Sequence, residues 1–332
     1  MSLVHDSRRI VIAGASSLLG VELKSLLEES RLATWDFRLV DEKIAAGLLT
    51  EAAGEAVVIQ PVDEDALAKA ALVFFAGSEK FTAANLDFAK RSGAAIIDLT
   101  GALAGGATPW LGQNRAAQKA VSSDSGRLFF VPSAAAEAIA KLALALSSHR
   151  VRHLTAVAFQ PVSEAGKPGI EELEAQTSQL LSFQSLGKQL FDAQVAFNLL
   201  DRFGPESMHR LSDFTSRVRK EVRACLAGGA GMPAIQVLHA PVFYGTAFTA
   251  CAEFSGEVTR EAVLAACRTA GCLVTPEDAA PSNISVAGES FLHLAPPQRD
   301  FASPGSWWFW GAADNIRLPA WSAVQLAEKL IE

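Results

Sequence analysis

A short apolar run that stops at a glycine and opens a helix limits this chain to few folds. Arg9-Ile10-Val11-Ile12-Ala13 is followed by Gly14-Ala15-Ser16-Ser17-Leu18-Leu19-Gly20, after which Val21, Leu23, Leu26 and Leu27 recur at helical spacing. Further short runs follow: Phe37–Val40, stopping at Asp41, then Val57–Ile59, Leu72–Phe75, and Ala94–Ile97, closing at Asp98. Residues 79–91 carry a helical pattern between two of them. Strands alternating with helices in this way predict a parallel sheet covered on both faces.

The pattern changes near Pro132. Ala134–Leu146 is an Ala-rich helical run, Val151–Phe159 a long strand, 170–195 helical, and 235–254 alternate as strands do around Pro241 and Gly245. Trp307-Trp308-Phe309-Trp310 predicts a buried strand or an interface, and a last helix starts near Trp321. The expected organisation is α/β. A Rossmann-like domain spans 1–132, completed by 314–332, and a second, α+β domain spans 133–313.

Half of the 332 residues are apolar, enough for two cores, and the net charge of −7 gives no electrostatic reason for a nucleic-acid partner. No apolar stretch reaches the roughly 20 residues of a membrane helix. Arg8-Arg9 could pass for a twin-arginine signal, but no cleavage site follows before Glu22 and Lys24. Cys225, Cys251, Cys267 and Cys272 are too few for a disulfide framework, which fits a reducing cytoplasm. The six histidines show no metal-ligand spacing: His149 and His153 are four apart, but one ends a helix and the other begins a strand.

A strand that ends in glycines and opens a helix offers free backbone N–H groups and a positive helix end to a dinucleotide pyrophosphate. Gly14 and Gly20 supply the outer glycines of such a loop, with Ser16, Ser17 and Leu18 between them. Ser17 stands at the middle glycine, where its side chain narrows the approach while its hydroxyl could donate to a phosphate. Asp41, at the end of the second strand, is placed to accept from a ribose 2′-OH and to repel a 2′-phosphate, so NAD is preferred to NADP.

Later segments are more distinctive. Phe159-Gln160-Pro161-Val162-Ser163-Glu164-Ala165-Gly166-Lys167-Pro168-Gly169-Ile170-Glu171-Glu172-Leu173 resembles the aromatic-Gln-x-x-Ser-Gly-x-Gly…Gly-x-Glu-Glu-Leu segment of aspartate-semialdehyde dehydrogenases. Asp314-Asn315-Ile316-Arg317 and the run Ala323–Glu328 are similar to that family's C-terminal helix. Phe74–Ser78, with Ala76 and Gly77, and Asp98–Ala102 are similar to the ends of its cofactor-domain strands. The resemblance runs nearly the whole chain in order. It implies an NAD(P)-binding domain, a dimerisation domain, a homodimer, and NADP-dependent reduction of aspartyl phosphate through a thioacyl enzyme.

The same resemblance shows what has changed. The nucleophile's Asn-Pro-x-Cys motif aligns with Val131-Pro132-Ser133-Ala134, which puts Ala134 at the sulfur's position. Ser133 beside it has no adjacent base and reads as a helix cap. The family's Arg-x-Pro-Val-x-x-Gly-His-Ser stretch resembles His239–Ala247, so the base position holds Thr246 and the carboxylate-binding arginine position holds His239. The phosphate arginine's position is Ala104. Gln160 and the helix acid Glu221 persist, while the lysine expected shortly after that acid is Ala224.

Cys225 and Cys251 do not open helices and read as core thiols. These positions predict a homologue released from thioacyl chemistry that keeps dimerisation and NAD binding. A working oxidoreductase on an aldehyde or oxo substrate without a thioester is the alternative, using Gln160, Glu221 or His239. A third reading is hetero-association with an active paralogue.

Overall fold

The computed structural model describes residues 8–42, 47, 49–52, 55–112 and 126–332. The chain divides into two compact units: residues up to Ser133 with Pro319–Glu332, and Ala134–Leu318. Residues 314–318 therefore group with the second unit. The reason is local: Asn315 is tied by its side chain to Ser163 and Gly245, and Asp314 accepts from Gly288 N–H at 2.9 Å.

The main sheet of the first unit is built from β1 (Arg9–Ala13), β2 (Asp36–Asp41), β5 (Gln60–Pro61), β6 (Leu72–Phe75), β7 (Ala95–Asp98), β8 (Thr108–Pro109) and β9 (Leu128–Phe130). These seven strands are parallel and lie in the order β5-β2-β1-β6-β7-β9-β8. β6 and β7 are buried along their full length, as continuous apolar runs covered on both faces must be.

The helices of this unit are α1 (Leu18–Glu28), the single turn α2 (Glu64–Leu67), α3 (Glu79–Arg91) and, returning at the chain's end, α8 (Arg317–Ile331). Ala320, Ala323, Val324, Ala327 and Leu330 of α8 join Ile10, Phe74, Ile97 and Phe129 in one core. The helix starts earlier than the sequence predicted, and Pro319 is tolerated because it lies in the first turn, where its missing N–H has no intrahelical partner to lose.

Val57–Ile59 departs from expectation. β4 (Glu55–Val58) pairs antiparallel with β3 (Leu49–Ala52) in a separate hairpin, while Ile59 is buried in the core and Val57 packs against it. An apolar run carries no information about which neighbour it will pair with.

The second unit contributes β10 (Val151–Gln160), β11 (Ala234–His239), β12 (Thr246–Phe254), β13 (Cys272–Val274), β14 (Leu292–Leu294), β15 (Gln298–Arg299) and β16 (Ser306–Ala313). They form a mixed sheet in the order β11-β10-β12-β16-β14-β13, with β15 on β16. Helix α4 (Ala134–Leu146) packs on β10, β12 and β16 and against α6 (Leu211–Leu226) and α7 (Arg260–Thr269). Its alanines permit this close approach, and it buries a Glu137–Lys141 ion pair at 2.6 Å.

Helix α5 (Gly166–Leu181) ends well before residue 195, where the sequence pattern placed its end. The apolar residues beyond it, Leu190, Phe191, Val195 and Ala196, pack with Val162 and Leu173 as a loop cluster. Two α5 side chains hold that loop. Glu172 accepts from Leu190 N–H at 2.5 Å and Phe191 N–H at 3.3 Å. Gln176 donates to the carbonyls of Gly187 and Ala193 at 2.9 and 3.0 Å, and accepts from the N–H groups of Val195 and Ala196 at 2.8 and 3.3 Å.

Candidate functional site

In the first unit the glycine-rich turn is fixed by its own backbone. Gly14 has φ +92°, and a Cβ there would lie 2.2 Å from Gly77 N and 2.8 Å from the Ala76 carbonyl carbon. A Cβ on Gly20 would lie 2.2 Å from Gly14 O. Both glycines are thus demanded by packing of loop against loop and helix against strand.

Ser17 caps α1: its hydroxyl accepts from Gly20 N–H at 2.9 Å and donates to Ala76 O at 2.7 Å. That hydroxyl is already committed, so the donors left for an anion are backbone N–H groups such as that of Leu18. The first turn of α1 holds no acidic residue to oppose an anion.

Asp41 is buried, not a solvated strand end. Its Oδ2 accepts from Ser16 N–H at 2.7 Å and its Oδ1 from Glu42 N–H at 2.8 Å. A carboxylate has about four acceptor positions, so capacity remains for a ribose hydroxyl. The loop, the helix end and Asp41 fit a dinucleotide.

Asp98 has a different task. Its carboxylate accepts from Thr100 N–H, Thr100 Oγ1 and Leu103 N–H at 2.9, 2.6 and 2.8 Å, shaping the turn that buries Ala104.

In the second unit, three neighbouring strands bring His239, Gln160 and Thr246 into one row. Gln160 pairs in register with His239, Phe159 with Ala247, and Thr246 with Ala313. Alternation along β10 and β12 puts Gln160 and Thr246 on their buried faces. Only residues 147–150 separate α4 from β10, so the helix runs back along the strand and its first residue, Ala134, lies at the Gln160 end.

His239 is buried, packs at a tilt against Phe203 with centroids 5.5 Å apart, and places Nε2 3.1 Å from Val195 O. Burial pushes its pKa down, only partly offset by the Val195 carbonyl, so the imidazole is neutral at pH 7. Its geometry offers no cationic hold on a carboxylate.

By contrast, Gln160 Oε1 and Thr246 Oγ1 are both buried without a hydrogen-bond partner among the described residues. Glu221 is fully buried on α6 and receives Arg217 Nε at 2.9 Å.

The sequence pattern did not single out Glu164 or Asn315. Asn315 Nδ2 donates to Glu164 Oε1 at 3.1 Å, while its Oδ1 accepts from Gly245 N–H at 2.9 Å. Burial raises the Glu164 pKa and neighbouring Glu221 adds to that, against the Arg217 charge and the Asn315 hydrogen bond.

The four thiols are all pushed upward by burial, Cys272 to about 11. None is an activated thiolate. Among the described residues no group of His, Cys, Asp or Glu is arranged to hold a metal, and no helix is long and apolar enough to cross a membrane.

The parallel-sheet unit with a glycine turn at its first strand and the mixed-sheet unit are each matched by a family model. Residues 9–110 match the semialdehyde dehydrogenase NAD binding domain, and residues 143–318 the semialdehyde dehydrogenase dimerisation domain. The chain belongs to the semialdehyde dehydrogenase family. It is 29% identical over 327 residues to a USG-1 protein homolog of Pseudomonas aeruginosa, covering 97% of each chain. It is equally 29% identical, over 330 residues and 97% of each chain, to a USG-1 protein homolog of Azotobacter vinelandii. Among solved structures it is similar to a probable aspartate-semialdehyde dehydrogenase from Pseudomonas aeruginosa, with TM-score 0.86, 26% identity, and 98% and 99% of the two chains covered.

Proposed function

We propose that this chain is a semialdehyde dehydrogenase homologue released from thioacyl chemistry, retaining NAD binding and self-association in the cytoplasm. One observation carries the reading: α4, which on the family resemblance should open with the nucleophile, opens with Ala134. A methyl group cannot attack a carbonyl. Ser133 has no base beside it in sequence, and Thr246 at the base position does not titrate near neutral pH. Loss of one member of such a set removes most of a covalent enzyme's acceleration.

Gly14, Ser16, Ser17, Leu18 and Gly20 would cradle the pyrophosphate, with Ala76 and Gly77 beside the turn. Asp41 would take the ribose and disfavour a 2′-phosphate, which selects NAD. When bound, the nicotinamide supplies a hydride acceptor. The test is an assay with aspartate semialdehyde, phosphate and either NAD or NADP. The expected result is no cofactor reduction above the uncatalysed background, with NAD binding retained by calorimetry. Turnover at about 1 s⁻¹ or faster, an ordinary enzyme rate, would reject the reading.

Self-association is read from the second sheet's less-covered face. Trp308 and Trp310 alternate with buried Trp307 and Phe309, pair with Cys251 and Thr249, and remain 45% and 37% exposed. Phe159 lies 6.2 Å from the Trp310 ring. Contiguous aromatic surface of this kind marks an interface. The reading is of a homodimer; association with an active paralogue would use the same face. Trp310→Glu is expected to convert the purified protein to a monomer in light scattering, weakening association by about 100-fold, the scale of a hot-spot truncation. An unchanged dimer would place the interface elsewhere.

A further inference from the structure

A groove of about 560 Å³ runs along the free edge of the second sheet, a size common among small-molecule sites. Its floor is β11, the outermost strand, and one wall is a face of α6 that carries Thr215, Ser216 and Arg219. With 3.6 residues to a turn, Arg219 stands about 200° round the helix from both Arg217 and Glu221. The groove therefore uses the back of α6, away from the row of His239, Gln160 and Thr246.

The strand edge is closed at two points and open between them. Arg219 donates to Ile235 O at 2.6 Å, and Leu200 exchanges hydrogen bonds with His239 at 2.9 and 3.3 Å. Val237 lies between these two residues with its side chain buried, and strand alternation turns its N–H and C=O outward, as it does theirs.

Charge then decides what the groove can hold. Arg202, Arg210 and Arg219 line it against a single carboxylate, Asp201. Arg202 and Asp201 are bound to each other at 2.6 Å, so their charges cancel. Arg219 is fixed by a carbonyl, which orients its guanidinium without neutralising it. The exposed Arg210 side chain makes no capping bond to α6 and has no ion pair among the described residues. Burial pushes the His209 pKa down, so that ring is neutral at pH 7. Two guanidinium charges are left over, in a chain whose net charge is −7. Beside them, partly buried Phe203 and exposed Pro205 supply an apolar side.

We propose that this groove binds a small phosphate monoester with an apolar group. Arg210 and Arg219 hold the dianion, and Phe203 and Pro205 face the organic part. The guanidinium fork matches phosphate oxygens in pairs, and a dianion satisfies both leftover charges where a monoanion satisfies one. The site is independent of the dehydrogenase reading and involves no covalent step.

The test is a calorimetric titration of the full-length protein at low salt and about pH 8, where a phosphate monoester carries close to two charges. It compares phenyl phosphate with phenyl sulfate, which has the same shape and one charge. Phenyl phosphate is expected to bind at least about tenfold more tightly. Arg210→Ala should weaken it by about tenfold, the scale of one charge-assisted hydrogen bond, while the melting temperature stays within about 2–3 °C of wild type. Asp201→Asn, which releases Arg202, should instead tighten binding by about threefold. Loss of a merely structural contact would not do that.

Comparable affinity for the two probes overturns the proposal, as does binding of neither. Unchanged phenyl phosphate affinity in Arg210→Ala also overturns it, since that places the phosphate elsewhere, such as the glycine turn. Unchanged or weaker binding in Asp201→Asn counts against it in the same way. None of these outcomes bears on turnover of the semialdehyde, which tests the functional reading alone.

Discussion

Gly14→Ala is expected to unfold the nucleotide-binding unit at temperatures where the wild type is intact. Two costs fall on one methyl group. The backbone sits at φ +92°, where an L side chain is strained by about 1–3 kcal/mol. The added Cβ would also meet Gly77 N at 2.2 Å and its Cα at 2.5 Å, and backbone cannot swing aside as a flexible side chain can. The glycine turn and the β6–α3 turn would have to separate, which also pulls Ser17 Oγ from Ala76 O. A loss of about 3–5 kcal/mol follows, at the upper end of single substitutions, or a fall of about 10 °C in melting temperature. Calorimetry reads it directly, and NAD binding should vanish with it. A melting temperature within 2–3 °C of wild type, about 1 kcal/mol, would show that the loop is not packed as described.

Gln176→Leu is the second large effect, and it acts on the other unit. The substitution keeps side-chain size and removes every polar contact of the amide. Four backbone groups, the carbonyls of Gly187 and Ala193 and the N–H groups of Val195 and Ala196, lose their side-chain partner at once. At about 1–3 kcal/mol for each buried group left unpaired, less what water recovers when the loop lifts, the expected loss is about 4 kcal/mol. The damage should be local first. Hydrogen exchange should accelerate between residues 183 and 210 before the sheet responds, and His239, which leans on Val195 O and Phe203, should become more basic as its burial is relieved. A loss under about 1 kcal/mol with unchanged exchange would mean that the apolar cluster alone holds the loop.

These two residues mark where the sequence was legible and where it was not. Gly14, Gly20 and Asp41 stand out because few folds call for a strand, a glycine turn and a carboxylate at that spacing. Their chemistry was only half visible. Spacing does not reveal that Asp41 spends two acceptor positions pinning Ser16 and Glu42, or that the Ser17 hydroxyl is consumed in capping α1. Gln176 was invisible, since it lies in a polar helical run whose neighbours face solvent, and its burial is created by a loop that folds over it.

The same loop accounts for the overlong helix. Leu190, Phe191 and Val195 have a spacing that suits a helix, but they form a cluster around Leu173 instead. Asn315 and Glu164 meet only through tertiary folding, being 151 positions apart in the chain. Trp307–Trp310, by contrast, read correctly as a strand, because its alternation follows from the pleat.

Release from thioacyl chemistry requires that no atom of the site be able to hold an acyl group. Ala134 offers none, Ser133 has no neighbouring base in sequence, and burial pushes all four thiols up, away from the thiolate. Intact-protein mass spectrometry after incubation with an aspartyl-type acyl phosphate reads such an adduct without relying on turnover. The mass is expected to stay unshifted at every time point, with and without NAD. A stoichiometric acyl adduct that forms and then discharges when reduced cofactor is added would contradict it.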